Sequence, residues 1–427
     1  MMPEAKKAER LVDKAVDLVD RDRLVALTVA LTDIASPTGQ EGEVARAYAD
    51  ILEQAGLSTK LQPIGDERYN AVGRLEGAGS GRSLLFNGHL DTSFGNEFAD
   101  RGPGFRAAGS VVDDEWIFGM GTFNMKNALA AYVVAAEAIH GAGIRLIGDL
   151  LIAGVAGEIE KAPCGEFVAQ EYQGYGVGSK HLVTHGGVAD ACILGEPTNM
   201  KLVPAHCGSS WLKIEIPGKL VHTAWARHED NAIMKAGKVL DALDAWIPTY
   251  RERNAIGNFQ PKVNIAAIDG GWAWRGARSP DNCSIYVDAR TVPDAQPTAI
   301  LNELRDVVAE VNEANPDVGA RVEMYVSNPG TSIPVEHDLV RSIQAAHADQ
   351  LGRPPEMSME VWCSDAAHMN RYGVPTVNYG AAGRIRSGGE GYSTAQGEHV
   401  HIGDLLDMTR IYVRAAVHWC GIAAPGV

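Results

Sequence analysis

Ser83-Leu84-Leu85-Phe86-Asn87-Gly88-His89-Leu90-Asp91 is the stretch on which the reading of this chain turns. Its apolar run is continuous, as in a strand buried on both faces, and it ends on an imidazole with a carboxylate just beyond. Asp149-Leu150-Leu151-Ile152-Ala153-Gly154-Val155 is a second such run, and the segment from Met125 to Ile139 between them is Ala-rich with few breakers. Strand, helix and strand in alternation predict an α/β fold, with a mainly parallel, helix-covered sheet and functional loops at the strand C-termini.

Toward the N-terminus, apolar residues at Leu11, Ala15, Leu18 and Val19, then at Val44, Tyr48, Ile51, Leu52 and Ala55, recur at helical spacing. They predict two amphipathic helices on either side of the turn Ser36-Pro37-Thr38-Gly39. From about Cys207 to Ser327 the style changes. Ser210-Trp211-Leu212-Lys213-Ile214-Glu215-Ile216 and Ser284-Ile285-Tyr286-Val287-Asp288 alternate as half-exposed strands do, and helical stretches lie at Ala232 to Ala245 and Pro297 to Val311. A helix from Leu339 to Gln350 and a buried strand from Pro375 to Tyr379 then restore the α/β style. The expected organisation is a larger α/β domain over 1–206 and 328–427, interrupted by a smaller α+β domain over 207–327.

The length of 427 residues suits two packed domains at about 100 to 200 residues each. Thirty-eight Lys and Arg against 54 Asp and Glu give a net charge of −16, which repels nucleic acid and anionic lipid. No apolar run reaches the roughly 20 residues that cross a bilayer, and the opening MMPEAKKAERLVDKAVDL builds no signal-peptide core, so a cytoplasmic protein is expected. The six cysteines are scattered singly and read as reduced thiols.

Four polar positions emerge from strand ends or the loops beside them. His89 is followed by Asp91, whose carboxylate could hold the imidazole's other nitrogen, a metal ligand with its supporting partner. The loop Gly119-Met120-Gly121-Thr122-Phe123-Asn124-Met125-Lys126 opens the Ala-rich helix and could present Asn124. Glu158 follows the second buried run, and Glu196 follows a third. Each alone is weak, since a Glu after a strand is usually solvated; their convergence is the signal.

With these motifs, and with Ser36-Pro37-Thr38-Gly39-Gln40-Glu41, Gly195-Glu196-Pro197-Thr198, Asp365-Ala366 and Gly373-Val374-Pro375-Thr376, the sequence resembles the dinuclear metallohydrolase family of aminoacylase, acetylornithine deacetylase, succinyl-diaminopimelate desuccinylase and glutamate carboxypeptidase. Inside the insert, Gly218 through His222, Asn231-Ala232-Ile233 and Val287-Asp288-Ala289-Arg290 carry the same likeness. The resemblance implies a catalytic domain interrupted by a lid domain that mediates homodimerisation. It also implies a lid histidine, His222, that assists catalysis and contacts substrate, and a lid arginine, Arg290, that binds substrate carboxylate. The Asn that accompanies this arginine in the family is absent, with Gly276 and Ala277 in its place; Arg275 and Arg278 beside the gap could compensate for it, although both read first as surface arginines.

The departures fall in one half of the site. Asn124 stands where the family's bridging Asp would be, and a neutral carboxamide is a poor bridge between two cations. Ile159 replaces a ligand acid directly after Glu158, the position of the general base. Counting back from Glu398, Thr394 replaces a ligand His. His89, Asn124 and Glu196 are then expected to hold one divalent metal, manganese ahead of zinc, with Asp91 and Glu158 in catalytic roles. One carboxylate and two neutral ligands leave about +1 of formal charge to acidify water.

Fewer metals favour chemistry whose negative charge is delocalised in the substrate. The altered motifs resemble a divergent branch that converts 5-nitroanthranilate to 5-nitrosalicylate and ammonia by water attack on the ring. The expected partner is therefore a small carboxylate-bearing aromatic amine, in a pocket that Phe123, Trp225 and Tyr392 could line. Cleavage of N-acyl amino acids or small peptides is the alternative, and a non-catalytic binding relative the second.

Overall fold

The computed structural model describes residues 4–424 and divides into two compact units. The first takes the described residues up to Pro204, Ile333–Ser358 and those from Ser364 onward; the second takes Ala205–Ser332 and Met359–Cys363. The interruption thus runs a few residues wider than 207–327, and the short return at Met359–Cys363 was not expected. There the Cys207 N–H donates to the Glu360 carbonyl at 2.9 Å, a pairing too distant in sequence for local periodicity to reveal.

In the first unit the strands run in the order Ser58–Gly65, Arg68–Leu75, Leu150–Val155, Leu84–His89, Ala191–Leu194, Thr376–Asn378. Leu150–Val155, Leu84–His89, Ala191–Leu194 and Thr376–Asn378 pair in parallel and form the centre of the sheet. The hairpin of the first two strands adds an antiparallel flank. Its outer strand lies largely exposed, so it has none of the continuous apolar run that marks the central strands.

Helix Lys126–Gly141 packs on this centre almost wholly buried, and its alanines permit close approach to the sheet. A Cβ at Gly195 would sit 2.3 Å from the Ala128 Cβ, so only glycine fits immediately before Glu196. Phe86 stacks on Tyr132 with centroids 4.9 Å apart, and burial of such a ring contributes about 1.5–3 kcal/mol. Helices Glu4–Asp17 and Gly42–Gln54 form where the spacing predicts, although the first ends before Leu18 and Val19 and leaves Leu18 exposed. Between them lies Arg21–Thr32, a helix that was not expected: Leu24, Leu27 and Leu31 line its buried face with Thr28 and Thr32, but apolar residues on its other faces mask the period. The threonine hydroxyls donate back to the Leu24 and Thr28 carbonyls at 2.8 and 2.7 Å, which makes burial of these polar groups affordable.

The second unit is a four-stranded antiparallel sheet in the order Val263–Gly270, Asn282–Thr291, Gly208–Pro217, Arg321–Asn328. Leu212, Ile214, Ile216, Ile285 and Val287 alternate inward and pack under helices Ala232–Arg253 and Pro297–Ala314. The first helix begins at Asn231, whose side chain accepts from the Ile233 and Met234 N–H groups at 3.0 and 3.3 Å. It continues past Ala245 and through Pro248, held by buried Trp246 and Tyr250. No helix among the described residues is long and apolar enough to cross a membrane.

Candidate metal centre

Three parallel strand ends deliver the acids and the imidazole. His89 closes Leu84–His89, Glu158 follows Leu150–Val155, and Glu196 follows Ala191–Leu194. One ligand atom from each lies within 4.8 Å of the others, and all three residues are buried. The loop before Glu158 turns at Gly157, with φ +66°, where an added Cβ would meet Arg68 Nη2 and Val177 Cγ2 at 2.5 Å.

Asn124 joins the cluster from the loop ahead of helix Lys126–Gly141. Its Oδ1 lies 3.0 Å from His89 Nε2, and Glu158 Oε2 lies 3.7 Å from the same nitrogen. His89 Nδ1–H donates to the Asp91 backbone carbonyl at 2.8 Å, while the Asp91 carboxylate stands at 3.5 Å. This corrects the expectation that the carboxylate itself is the main partner of the imidazole. The Asp91 carboxylate instead accepts from the Glu158 N–H at 2.9 Å, the Ile159 N–H at 3.1 Å and the Thr38 hydroxyl at 2.9 Å. Asp91 thereby fixes the loop that carries Glu158, because a buried carboxylate must satisfy its lone pairs.

Electrostatics make the cluster short of positive charge. Burial, and then the neighbouring Glu196, push the Glu158 carboxyl well above its ordinary pKa. Burial raises Glu196 to about 7. For His89, burial opposes the charged form, yet the Asp91 hydrogen bond and the Glu158 and Glu196 charges lift its pKa well above the ordinary value. Burial likewise works against the Asp91 charge, but His89 and its hydrogen-bond donors hold its pKa down.

The donor set fits a divalent cation. The Glu196 Oε1 is buried without a hydrogen-bond partner, and a buried orphaned carboxylate oxygen is costly unless something cationic meets it. With Nδ1–H donated to Asp91, the Nε2 lone pair faces the Asn124 side chain and a carboxylate, an arrangement a shared cation or a second proton relieves.

The remaining expected residues stand as follows. Ile159 is half-buried and Thr394 is exposed, and neither carries a group able to coordinate through nitrogen or carboxylate. His222 and Arg290 belong to the second unit. The Arg290 guanidinium is engaged by the Asp288 carboxylate, with Nη2 at 2.9 Å and Nε at 3.0 Å. The His222 ring lies 5.3 Å from the Trp225 ring, and its Nδ1 accepts from the Ala224 N–H at 3.2 Å. Phe123, next to Asn124 in the chain, forms an edge-to-face pair with Tyr392, centroids 5.6 Å apart.

Two further acids support the site, Glu398 and the Asp365 of the Asp365-Ala366 motif, and neither was expected to have this role. Glu398 serves above only as a counting point, yet its buried Oε2 accepts from the Gly121, Phe123 and Asn124 N–H groups at 2.7, 3.2 and 3.3 Å. It anchors the loop that presents Asn124, and burial raises its pKa to about 7. Asp365 accepts from the Ser179 hydroxyl at 2.5 Å, and burial lifts it to about 6. Only tertiary structure joins them to the site.

The chain is 27% identical over 380 residues to acetylornithine deacetylase of Myxococcus xanthus, a match covering 87% of this chain and 90% of that protein. It is 23% identical to N-formyl-4-amino-5-aminomethyl-2-methylpyrimidine deformylase of Halalkalibacterium halodurans, over 96% of this chain and 98% of that one. An aminopeptidase structure from Bacillus cereus shares the fold, with a TM-score of 0.71 at 20% identity across 93% of this chain and 98% of its own. The family model for peptidase family M20/M25/M40 matches residues 85–418, which span every residue of the buried cluster. The chain therefore belongs to the M20/M25/M40 peptidase family, metal-dependent hydrolases of C–N bonds.

Proposed function

We propose that this hydrolase works with a single divalent cation, held by His89, Asn124 and Glu196, and with Glu158 as its proton carrier. The observation that carries the reading is the asymmetry of the donors: buried ligand atoms of His89, Glu158 and Glu196 converge, while Ile159 and Thr394 offer none. When bound, such a cation supplies Lewis acidity that acidifies water and neutralises developing charge. Manganese suits the oxygen-rich donors.

The chain's own groups do the rest. Nδ1–H of His89, donated to the Asp91 carbonyl, keeps Nε2 available as a ligand. Glu158, buried and with a raised pKa, accepts a proton from the attacking water and returns it to the departing nitrogen. Asp91 holds the Glu158 loop and Glu398 holds the Asn124 loop, so both carriers stay oriented. His222 and Arg290 are proposed contacts to substrate from the second unit. A homodimer through that unit is supported by Val263–Gly270, an edge strand with exposed Ile268. The six free cysteines suit a reducing, cytoplasmic compartment.

Amide cleavage in N-acyl amino acids or small peptides is the substrate reading best supported, since the curated relatives named above remove acyl or formyl groups. A second reading, deamination of 5-nitroanthranilate, draws on the neutral Asn124, apolar Ile159 and the Phe123–Tyr392 ring pair. In it the ring delocalises the charge that a second cation would otherwise meet. Assay of N-acetyl amino acids, dipeptides and 5-nitroanthranilate with manganese separates the two: released amino acid supports the first, and equal ammonia and 5-nitrosalicylate the second. Turnover that survives complete chelation contradicts both.

A further inference from the structure

Outside the metal centre, helix Val177–Thr184 and the residue that caps it carry two imidazoles one turn apart. His181 and His185 stand at i and i+4, and their rings stack with centroids 3.7 Å apart and planes 7° from parallel. Side chains at this spacing share one helix face, and two histidines so placed can grip one metal ion between them. His185 is exposed and His181 half-buried, so an ion in solution reaches both. The helix is anchored at its other end, where the Gly176 and Gly178 N–H groups donate to the Gly157 and Ala156 carbonyls at 2.8 and 2.9 Å. The two rings are therefore carried on a fixed element.

Hydrogen bonding leaves ligand nitrogens free. His185 Nδ1–H donates to the His181 carbonyl at 2.8 Å, with the Thr184 hydroxyl 3.0 Å away. With the proton on Nδ1, the neutral ring keeps a lone pair on Nε2, the arrangement by which a backbone carbonyl orients a metal-binding histidine. Partial burial, and then the neighbouring His185, lower the His181 pKa and favour its neutral, ligating form. Neither residue forms an ion pair among the described residues. The pair also lies at the C-terminal end of the helix, whose partial negative charge favours a cation.

We propose that His181 and His185 form an accessory site for a divalent transition cation that prefers nitrogen ligands, such as zinc, copper or nickel, with water completing its shell. No third His, Cys, Asp or Glu joins the two among the described residues, so the ion is held less tightly than at a site with three or four protein ligands and exchanges on desalting. Manganese, which suits oxygen donors, gains little from two imidazoles. The pair therefore adds nothing to a manganese count at the buried centre, and it stands whether or not the hydrolase reading does.

The test is zinc titration by calorimetry into the full-length, manganese-loaded chain, alongside His181→Gln and His185→Gln. The unaltered chain should show a zinc-binding event that each substitution weakens at least about tenfold by removing one of the two ligands. Hydrolysis with manganese should be the same in all three chains. A nickel-charged resin then separates the surface pair from the buried centre, because an immobilised ion cannot enter the latter. The untagged chain should be retained and both variants should elute at lower imidazole concentration.

Absence of the zinc event from the unaltered chain, or an equal event in all three, overturns the proposal. Equal retention on the resin does the same, since it amounts to adventitious binding by other surface histidines. Zinc-driven association in sedimentation also overturns it, because the ion would then lie between copies.

Discussion

The two halves of the metal centre were built to different standards. His89, Glu158 and Glu196 are all buried: Asp91 holds the acid loop, Thr38 holds Asp91, and Gly157 and Gly195 admit the tight approaches, while Glu196 Oε1 is left without a hydrogen-bond partner. At the other half, Ile159 is half-buried and Thr394 is exposed, with no coordinating group at either position. Drift away from metal binding would erode both halves together, since each ligand costs burial energy without its cation. The contrast is what the proposed single cation rests on: one half keeps its buried donors, and Asn124 stands between it and the half without them.

The sharpest way to break this comparison is Glu158→Gln. It removes the proton carrier and leaves the His89, Asn124 and Glu196 donors, so turnover should fall about 10²- to 10⁴-fold with metal content unchanged. Parallel loss of metal and activity would make Glu158 a ligand instead, which its place in the cluster makes a meaningful outcome.

A second substitution tests the bracing behind the retained half. Arg68 forms a two-point pair with Glu41 at 2.7 and 2.8 Å, with side chains 4% and 0% exposed, and also donates to the Gln173 carbonyl at 3.0 Å. Arg68→Met strands the buried Glu41 carboxylate and should cost about 3–5 kcal/mol in denaturant unfolding. Because Glu41 belongs to the segment that carries Thr38, metal affinity should fall as well; unchanged affinity would detach this pair from the site.

The smallest effect comes from the end of strand Thr376–Asn378, where the Tyr379 N–H donates to the Leu194 carbonyl at 2.7 Å. His347 Nδ1 and the Tyr379 hydroxyl are 2.7 Å apart, and burial lowers the His347 pKa to about 4. Its folded pKa lies below the unfolded value of about 6.5, so the unfolded chain takes the proton first. This contribution to stability is complete above that value and is lost as the pH falls toward 4, by about 1–2 kcal/mol at pH 5. His347→Gln should flatten that segment of the stability profile; an unaltered slope would assign the acid sensitivity elsewhere.

Much of this was legible in the sequence where strands are buried on both faces. The runs ending at His89 and Val155 write their burial into consecutive residues, and the half-exposed strands of the second unit show their alternation. Strand Ser58–Gly65 was not legible, because an exposed edge leaves no apolar period; in helix Arg21–Thr32 the spacing of Leu24, Leu27 and Leu31 is blurred by Val25, Ala26, Val29 and Ala30 around the other faces. In the site, His89, Asn124, Glu158 and Glu196 stand out because each follows a strand or opens a helix. Asp365 is marked only as part of a motif and Glu398 only by its spacing from Thr394; their roles consist of hydrogen bonds to residues far away in the chain and could not be read there.

The central claim is the count of cations, and metal analysis of the purified, active enzyme tests it most directly. The account predicts one equivalent per chain with manganese supporting activity, rising toward two when Asn124→Asp and Ile159→Glu restore acids to the depleted half. Two equivalents in the unaltered enzyme, or full activity with none, would contradict it.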